Sequence, residues 1–341
     1  MAVTMKGLLF IIPFVFCPSV LCGVAGLPRE RKSLVKRVGG PTPRFQNFNE
    51  QNPASQARLQ AIQNAFPDVK ELAQQAIHNL VPYADVYRQY LPSQAPDWPQ
   101  RAAGIYHEII DFKSPLMIPP RDIEFGHKIV GITFTDEDFL LQEGEDHCGA
   151  GAEAYTKNVP KEEPNGPVVL IHICRDFLDA VASGQDLTER TFDQINVNGL
   201  RFGLGMDPPG SYTLKVTEDM AALATTIFHE FMHANIFSDV LFSGSPIPPA
   251  QQGPGGANIV DHQNLGVGRD GYGPYQARML NRQHPELAKT HAEAYVWIAM
   301  EIVWTERLKS RLGIPAFQNG RLLPPNPLQD ESSSSDSQMS Q

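Results

Sequence analysis

The segment His229-Glu230-Phe231-Met232-His233 constrains this chain more than any other part of it. Around it, Leu223, Ile227 and Phe231 recur every four positions, the spacing of an amphipathic helix. The pattern predicts a helix over 216–237, with Thr217 able to cap its start and Glu218 and Asp219 suited to its positive end. On such a helix two histidines four residues apart share a face, so both imidazoles reach a single Zn2+ ion. Glu230 is rotated by roughly a quarter turn from the first histidine. There its carboxylate can hold a water beside the metal, act as general base and carry the proton to a leaving amine.

A catalytic zinc takes a third protein ligand and keeps its fourth position open. The continuation that would bring a third histidine from the same helix is missing, because Ile236 and Asp239 stand where Gly and His would be. A downstream helical Glu with an Asp four residues on is also missing, since Glu293 is followed by Trp297. The acidic residues of the Gly-, Pro- and Gln-rich stretch 243–275 are then the candidates, and a connection that long inside a domain is usually functional. Asp261 lies in Asn-Ile-Val-Asp-His, and Asp270 in Gly268-Arg-Asp-Gly-Tyr-Gly273. His262 and Glu293 are weaker options.

The rest of the chain frames this site. Its 341 residues allow one large domain or two small ones, with enough core to fold without disulfide staples. Lys6 followed by an apolar run from Gly7 to Phe16 and small residues around 19–25 reads as a secretory signal peptide over 1–25. The run is too short for a membrane anchor. Residues 26–37 end in the dibasic pair Lys36-Arg37 and read as a possible pro-segment. Removing 1–37 takes six basic residues and one acidic one from 28 and 38, leaving 22 against 37, a net charge of −15 rather than −10. So acidic a balance argues against nucleic acid as a partner. The same cut leaves Cys148 and Cys174, which in an exported chain are expected to pair. Closing their loop of about 27 residues is worth roughly 3–4 kcal/mol in the chain-entropy picture. No Asn-x-Ser/Thr site occurs, and residues 321–341 read as a disordered Ser-rich tail after a domain over 38–320.

Within that domain, helical spacing runs over 53–90, with Pro67 expected to split it into two segments, and again over 101–110 and 175–182. Strands are expected at 129–134 and 168–173, and a last helix over 289–312. Trp297, Met300 and Trp304 on that helix read as core rather than substrate contacts. The expected class is α+β, largely helical with a small mixed sheet.

Over roughly Val168 to Trp304, and more weakly back to Ala57, the sequence resembles the aspzincin metallopeptidases, the deuterolysins and peptidyl-Lys metalloendopeptidases, many of them secreted fungal enzymes. The resemblance is carried by the HExxH, the loop leading to Tyr272-Gly273, and the helix with Ala292-Glu293-Ala294-Tyr295-Val296-Trp297. In the family these look like GTxDxxYG followed by an Asn-Ala-Asp-x-Tyr helix, and Cys148 and Cys174 look like the family disulfide ahead of the active helix. The chain departs from the pattern where Arg269 occupies the place of the ligand Asp, one residue before Asp270. Looser relatives carry that ligand in an Ile-x-Asp sequence about ten residues before the Tyr-Gly, which corresponds to Asp261. The resemblance therefore implies one zinc ion on His229, His233 and Asp261 (alternatively Asp270). It gives Glu230 and Tyr272 as catalytic groups, with the Tyr272 hydroxyl on the oxyanion. Glu293 stands in the place of an Asp that hydrogen-bonds the ligands, and His291 in that of an Asn. The implied fold is zincin-like, and the implied activity is that of a secreted, monomeric endopeptidase acting on protein or peptide substrates bound along an edge strand. The alternative is a secreted zinc-binding protein, an antigen or effector, that keeps the fold without catalysis.

Overall fold

A long helix, α10 (Ala292–Leu312), supplies much of the core. Its run Ala294-Tyr-Val-Trp-Ile-Ala-Met300 and then Ile302, Val303 and Trp304 is buried on all sides, as expected of a helix apolar all round. The computed structural model describes residues 40–92, 98–111, 122–159, 169–183, 191–193, 195, 220–242, 257–262, 272–312, 317–318 and 321–322. The leader, the pro-segment, the tail beyond Leu322, Thr217 to Asp219 and Asp270 lie outside them.

Packed against α10 is α1 (Pro53–His78), a single helix of 26 residues where two were expected. Pro67 lies inside it. A proline there costs about 3 kcal/mol, but Ile62 and Ala65 before it and Val69, Leu72, Ala73 and Ala76 after it all enter one core. Burial of that shared face outweighs the lost hydrogen bond. Asn52 caps the start, its Oδ1 accepting from the N–H groups of Ala54 and Ser55. Helices α2 (Ala84–Tyr90) and α3 (Trp98–Ile109) complete the N-terminal helical layer.

The sheet is small and mixed. Its strands β1 (Arg44–Gln46), β2 (Ile132–Thr135), β3 (Ala154–Asn158) and β4 (Val169–Ile173) lie in the order β1-β2-β4-β3. The pairs β1–β2 and β2–β4 are parallel, and β3–β4 is antiparallel. In register, Phe45 sits beside Phe134, Phe134 beside Ile171, and Ile171 beside Thr156. On that face Phe134 stacks with Phe45 (5.9 Å between centroids), meets Phe66 of α1, and meets Phe231 at 6.3 Å. The strand expected at 129–134 starts later, because His127–Gly131 form a 3-10 turn.

Helices α4 (Phe139–Gln142) and α5 (Arg175–Ser183) flank the strands. Then follow α6 (Leu223–His233), α7 (Asn235–Phe242), α8 (Gly273–Gln283) and α9 (Pro285–Ala288), and a hairpin of β5 (Phe317–Gln318) and β6 (Arg321–Leu322) comes after α10. The fold is thus α+β, mostly helical, with a small mixed four-stranded sheet. Cys148 and Cys174 form a disulfide that ties the approach to β3 to the end of β4. No helix among the described residues is long and apolar enough to cross a membrane.

Candidate metal centre

The helix carrying the two histidines is shorter than its periodicity suggested. It begins at Leu223, after Ala222 in extended conformation, and Thr225 Oγ1 accepts the Ala222 N–H at 3.0 Å. It ends at His233, because Ala234 is extended (ψ 108°) and a new helix starts at Asn235. A tertiary contact holds the break. The Asn158 side chain, arriving from β3, donates through Nδ2 to the His233 carbonyl (3.0 Å) and accepts the Asn235 N–H on Oδ1 (2.8 Å). Two backbone groups exposed by the break are thereby satisfied.

The His229 and His233 Nε2 atoms are 3.0 Å apart, and Asp261 Oδ2 lies 3.3 Å from each. Three ligands about 2.0–2.2 Å from a tetrahedral zinc stand roughly 3.3 Å from one another, so the triangle has the right size. The other ring nitrogens are occupied. His229 Nδ1 faces Glu293 Oε1 at 2.8 Å and His233 Nδ1 faces the Ile259 carbonyl at 2.8 Å, so in the neutral imidazoles each Nδ1 carries the proton and each Nε2 keeps the lone pair that a cation would take. Two lone pairs and a carboxylate oxygen then converge on one point, which is favourable only around positive charge. Asp261 Oδ1 is buried and has no hydrogen-bond partner among the described residues. Burial alone would push both imidazoles toward their neutral forms. The Asp261 carboxylate, aided at His229 by Glu293, outweighs it and lifts both above the ordinary histidine range. Conversely, the Asp261 carboxyl is held well below the usual carboxylate range, despite its burial, by the two imidazoles. The donor set fits a divalent cation.

Asp261 reaches this position because its segment is pinned on both sides. Val260 donates to the Thr290 carbonyl and accepts from the Ala292 N–H, forming a parallel bridge to the start of α10. Ile259 is fully buried, and the Asn258 N–H is held by Asn235 Oδ1 at 2.8 Å.

Glu230 is 4% exposed, and its charge is felt at His233. Its Oε2 accepts the Thr156 hydroxyl at 2.6 Å, and Thr156 Oγ1 also lies 3.1 Å from the Glu230 main-chain oxygen. Tyr272 is 41% exposed, and its hydroxyl donates to Asp261 Oδ2 at 2.9 Å. Gly273 follows at φ 85°, a conformation that would strain any residue with a side chain, and its N–H donates to Glu293 Oε2. Trp297 Nε1 donates to the same oxygen at 2.5 Å. Burial works against the Glu293 charge, but the bond to His229 and that of Gly273 win and keep its carboxyl below the ordinary range. Glu293 thus backs His229 from behind and does not face the Nε2 triangle.

Of the other candidates, His262 points to Thr290 Oγ1 (2.9 Å), and its N–H is directed at His291 Nδ1. Burial and the His291 charge push the His262 pKa down to about 4. Trp297, Met300 and Trp304 are buried in the core. Cys148, His172 and Cys174 also cluster, but both sulfurs are consumed by the disulfide. Thr156 and Asn158 have no local signature: Ala-Tyr-Thr-Lys-Asn has no apolar run, and only the tertiary fold lays it beside α6. No protein-family model matches the chain, and none of the curated proteins matches it.

Proposed function

We propose that the protein is a secreted, zinc-dependent endopeptidase of zincin-like architecture. One observation carries the reading: a carboxylate, Glu230, is held by Thr156 next to a triangle of His229 Nε2, His233 Nε2 and Asp261 Oδ2 with the dimensions of a zinc face. Bound there, Zn2+ supplies a Lewis acid for a peptide carbonyl and acidifies a water. Glu230 takes the proton of the attacking water and passes it to the leaving amine nitrogen, ending the cycle ionised as it began. Thr156 keeps that carboxylate oriented. The Tyr272 hydroxyl, half-exposed and now on Asp261, turns to donate to the oxyanion that develops on the substrate.

Substrate main chain has a matching surface. The Cys174 N–H donates to the Glu153 carbonyl, so Glu153, Tyr155 and Lys157 direct their backbone groups to β4. The backbone groups of Ala154, Thr156 and Asn158 face away from it, where an extended peptide can add as a strand. The decisive experiment compares Glu230→Gln with wild type for zinc content and for chelator-sensitive cleavage of a denatured protein. The variant is expected to keep its zinc and lose about 10²–10⁴-fold in hydrolysis. Unchanged hydrolysis would sink the mechanism. Zinc bound by wild type without any cleavage would favour the non-catalytic antigen or effector.

A further inference from the structure

Beyond the ligands themselves, a closed circuit of hydrogen bonds starts and ends on His233. Its imidazole Nδ1 donates to the Ile259 carbonyl, and the neighbouring Asn258 N–H donates to Asn235 Oδ1. The Asn235 N–H donates to Asn158 Oδ1, and Asn158 Nδ2 returns to the His233 carbonyl. Asn258 is anchored a second time, its Nδ2 donating to Asp239 Oδ1 at 3.1 Å. The circuit links three separate parts of the chain: the outer strand β3, the break between α6 and α7, and the segment that ends in Asp261.

We infer that Asn235, working with Asn158, is a positioning residue that sets the spacing between His233 and Asp261 and hence the affinity for a divalent cation. This rests on the metal-centre reading above. Asn235 Oδ1 is bonded one residue before the carbonyl that orients His233 and three residues before Asp261 itself. A slip there moves the imidazole and the carboxylate relative to each other, in a triangle whose sides are 3.0 to 3.3 Å. Ligand geometry of this kind tolerates only about 0.5 Å. At 158 the circuit needs an acceptor and a donor together, and Asp would set an oxygen against the His233 carbonyl.

The test measures zinc affinity by competition with a chromophoric chelator, visible absorption after Co2+ substitution, and thermal unfolding of the metal-free protein. Asn235→Ala and Asn158→Asp are expected to weaken zinc binding by about 10- to 100-fold and to change the Co2+ spectrum. Wild-type affinity and an unchanged Co2+ spectrum in Asn235→Ala and Asn158→Asp would overturn the inference. If Asn235→Ala does not fold, Asn158→Asp decides by the same criterion. Wild type that takes up no zinc would instead sink the metal reading itself, so the two failures are distinguishable.

Discussion

Thr156 has one hydroxyl proton and lies within hydrogen-bonding distance of two oxygens of Glu230, with the carboxylate oxygen the nearer at 2.6 Å. A bond to an ionised group is worth about 1.5–3 kcal/mol, enough to decide which way a buried carboxylate points. Thr156→Val, which keeps the shape and loses the hydroxyl, is expected to bind zinc normally and to turn over about 10- to 100-fold more slowly. Thr156→Ser should recover most of the rate. A valine variant with the wild-type kcat would show that Glu230 needs no such support. The contrast between these residues shows what can be read locally. His229, Glu230 and His233 are related by helix geometry alone, so the face shared by the two histidines and the quarter-turn offset of Glu230 follow from their spacing. Asp261 is sequence-visible only as one of two loop acids, because what brings it to the imidazoles is a bridge to Thr290 and Ala292. Thr156 has no local signature at all.

Elements were legible where one face meets one core, and misread where a tertiary contact overrules the pattern. The apolar spacing around 216–237 suggested one helix, yet the chain breaks at Ala234 because Asn158 offers its amide to both sides of the break. Pro67 suggested two helices, and burial on both sides of it kept one. Strand β3 was missed although it bears Thr156 and Asn158, because its place is set by pairing with β4 and by contacts at its start rather than by its own composition. Cys174 donates its N–H to Glu153, the residue just before β3, while its sulfur holds Cys148. Replacing both cysteines by serine is expected to cost about 3 kcal/mol of stability. The loosening should be local as well, with faster amide hydrogen exchange in 155–157 than in α10. Uniform exchange across the molecule, with stability unchanged, would mean that β3 is held by its pairing with β4 alone.

At the scale of the whole molecule, α1 and α10 bear on the stability of the entire fold through a buried charge cluster remote in sequence from the metal centre. Arg307 of α10 donates to Glu71 of α1 and, at 2.9 Å, to Asp193, while the Phe192 N–H donates to Asp68 Oδ2 at 2.7 Å. Asp68 is 6% exposed and lies 3.7 Å from Arg307. Burial lifts its carboxyl from 3.8 to about 6, against the opposing pull of the Phe192 N–H and Arg307 and with the help of Glu71 and Asp193. The folded state therefore holds the proton more tightly than the unfolded chain does. Between 3.8 and about 6 the native protein binds more protons, so this group's contribution falls as pH rises through that window and is constant above it. The full difference is worth about 3 kcal/mol. Asp68→Asn leaves an oxygen to accept the Phe192 N–H and removes the buried charge. Its stability relative to wild type should grow by up to about 3 kcal/mol across that window and then level off. Asp136, whose carboxyl Arg58 and Ser55 hold below the ordinary range against its burial, works in the opposite sense, and its contribution is lost only below 3.8. Comparing the variant with wild type at each pH cancels that shared background. Denaturation curves in which Asp68→Asn loses ground as pH rises would mean that the attraction to Arg307, rather than burial, governs this carboxylate.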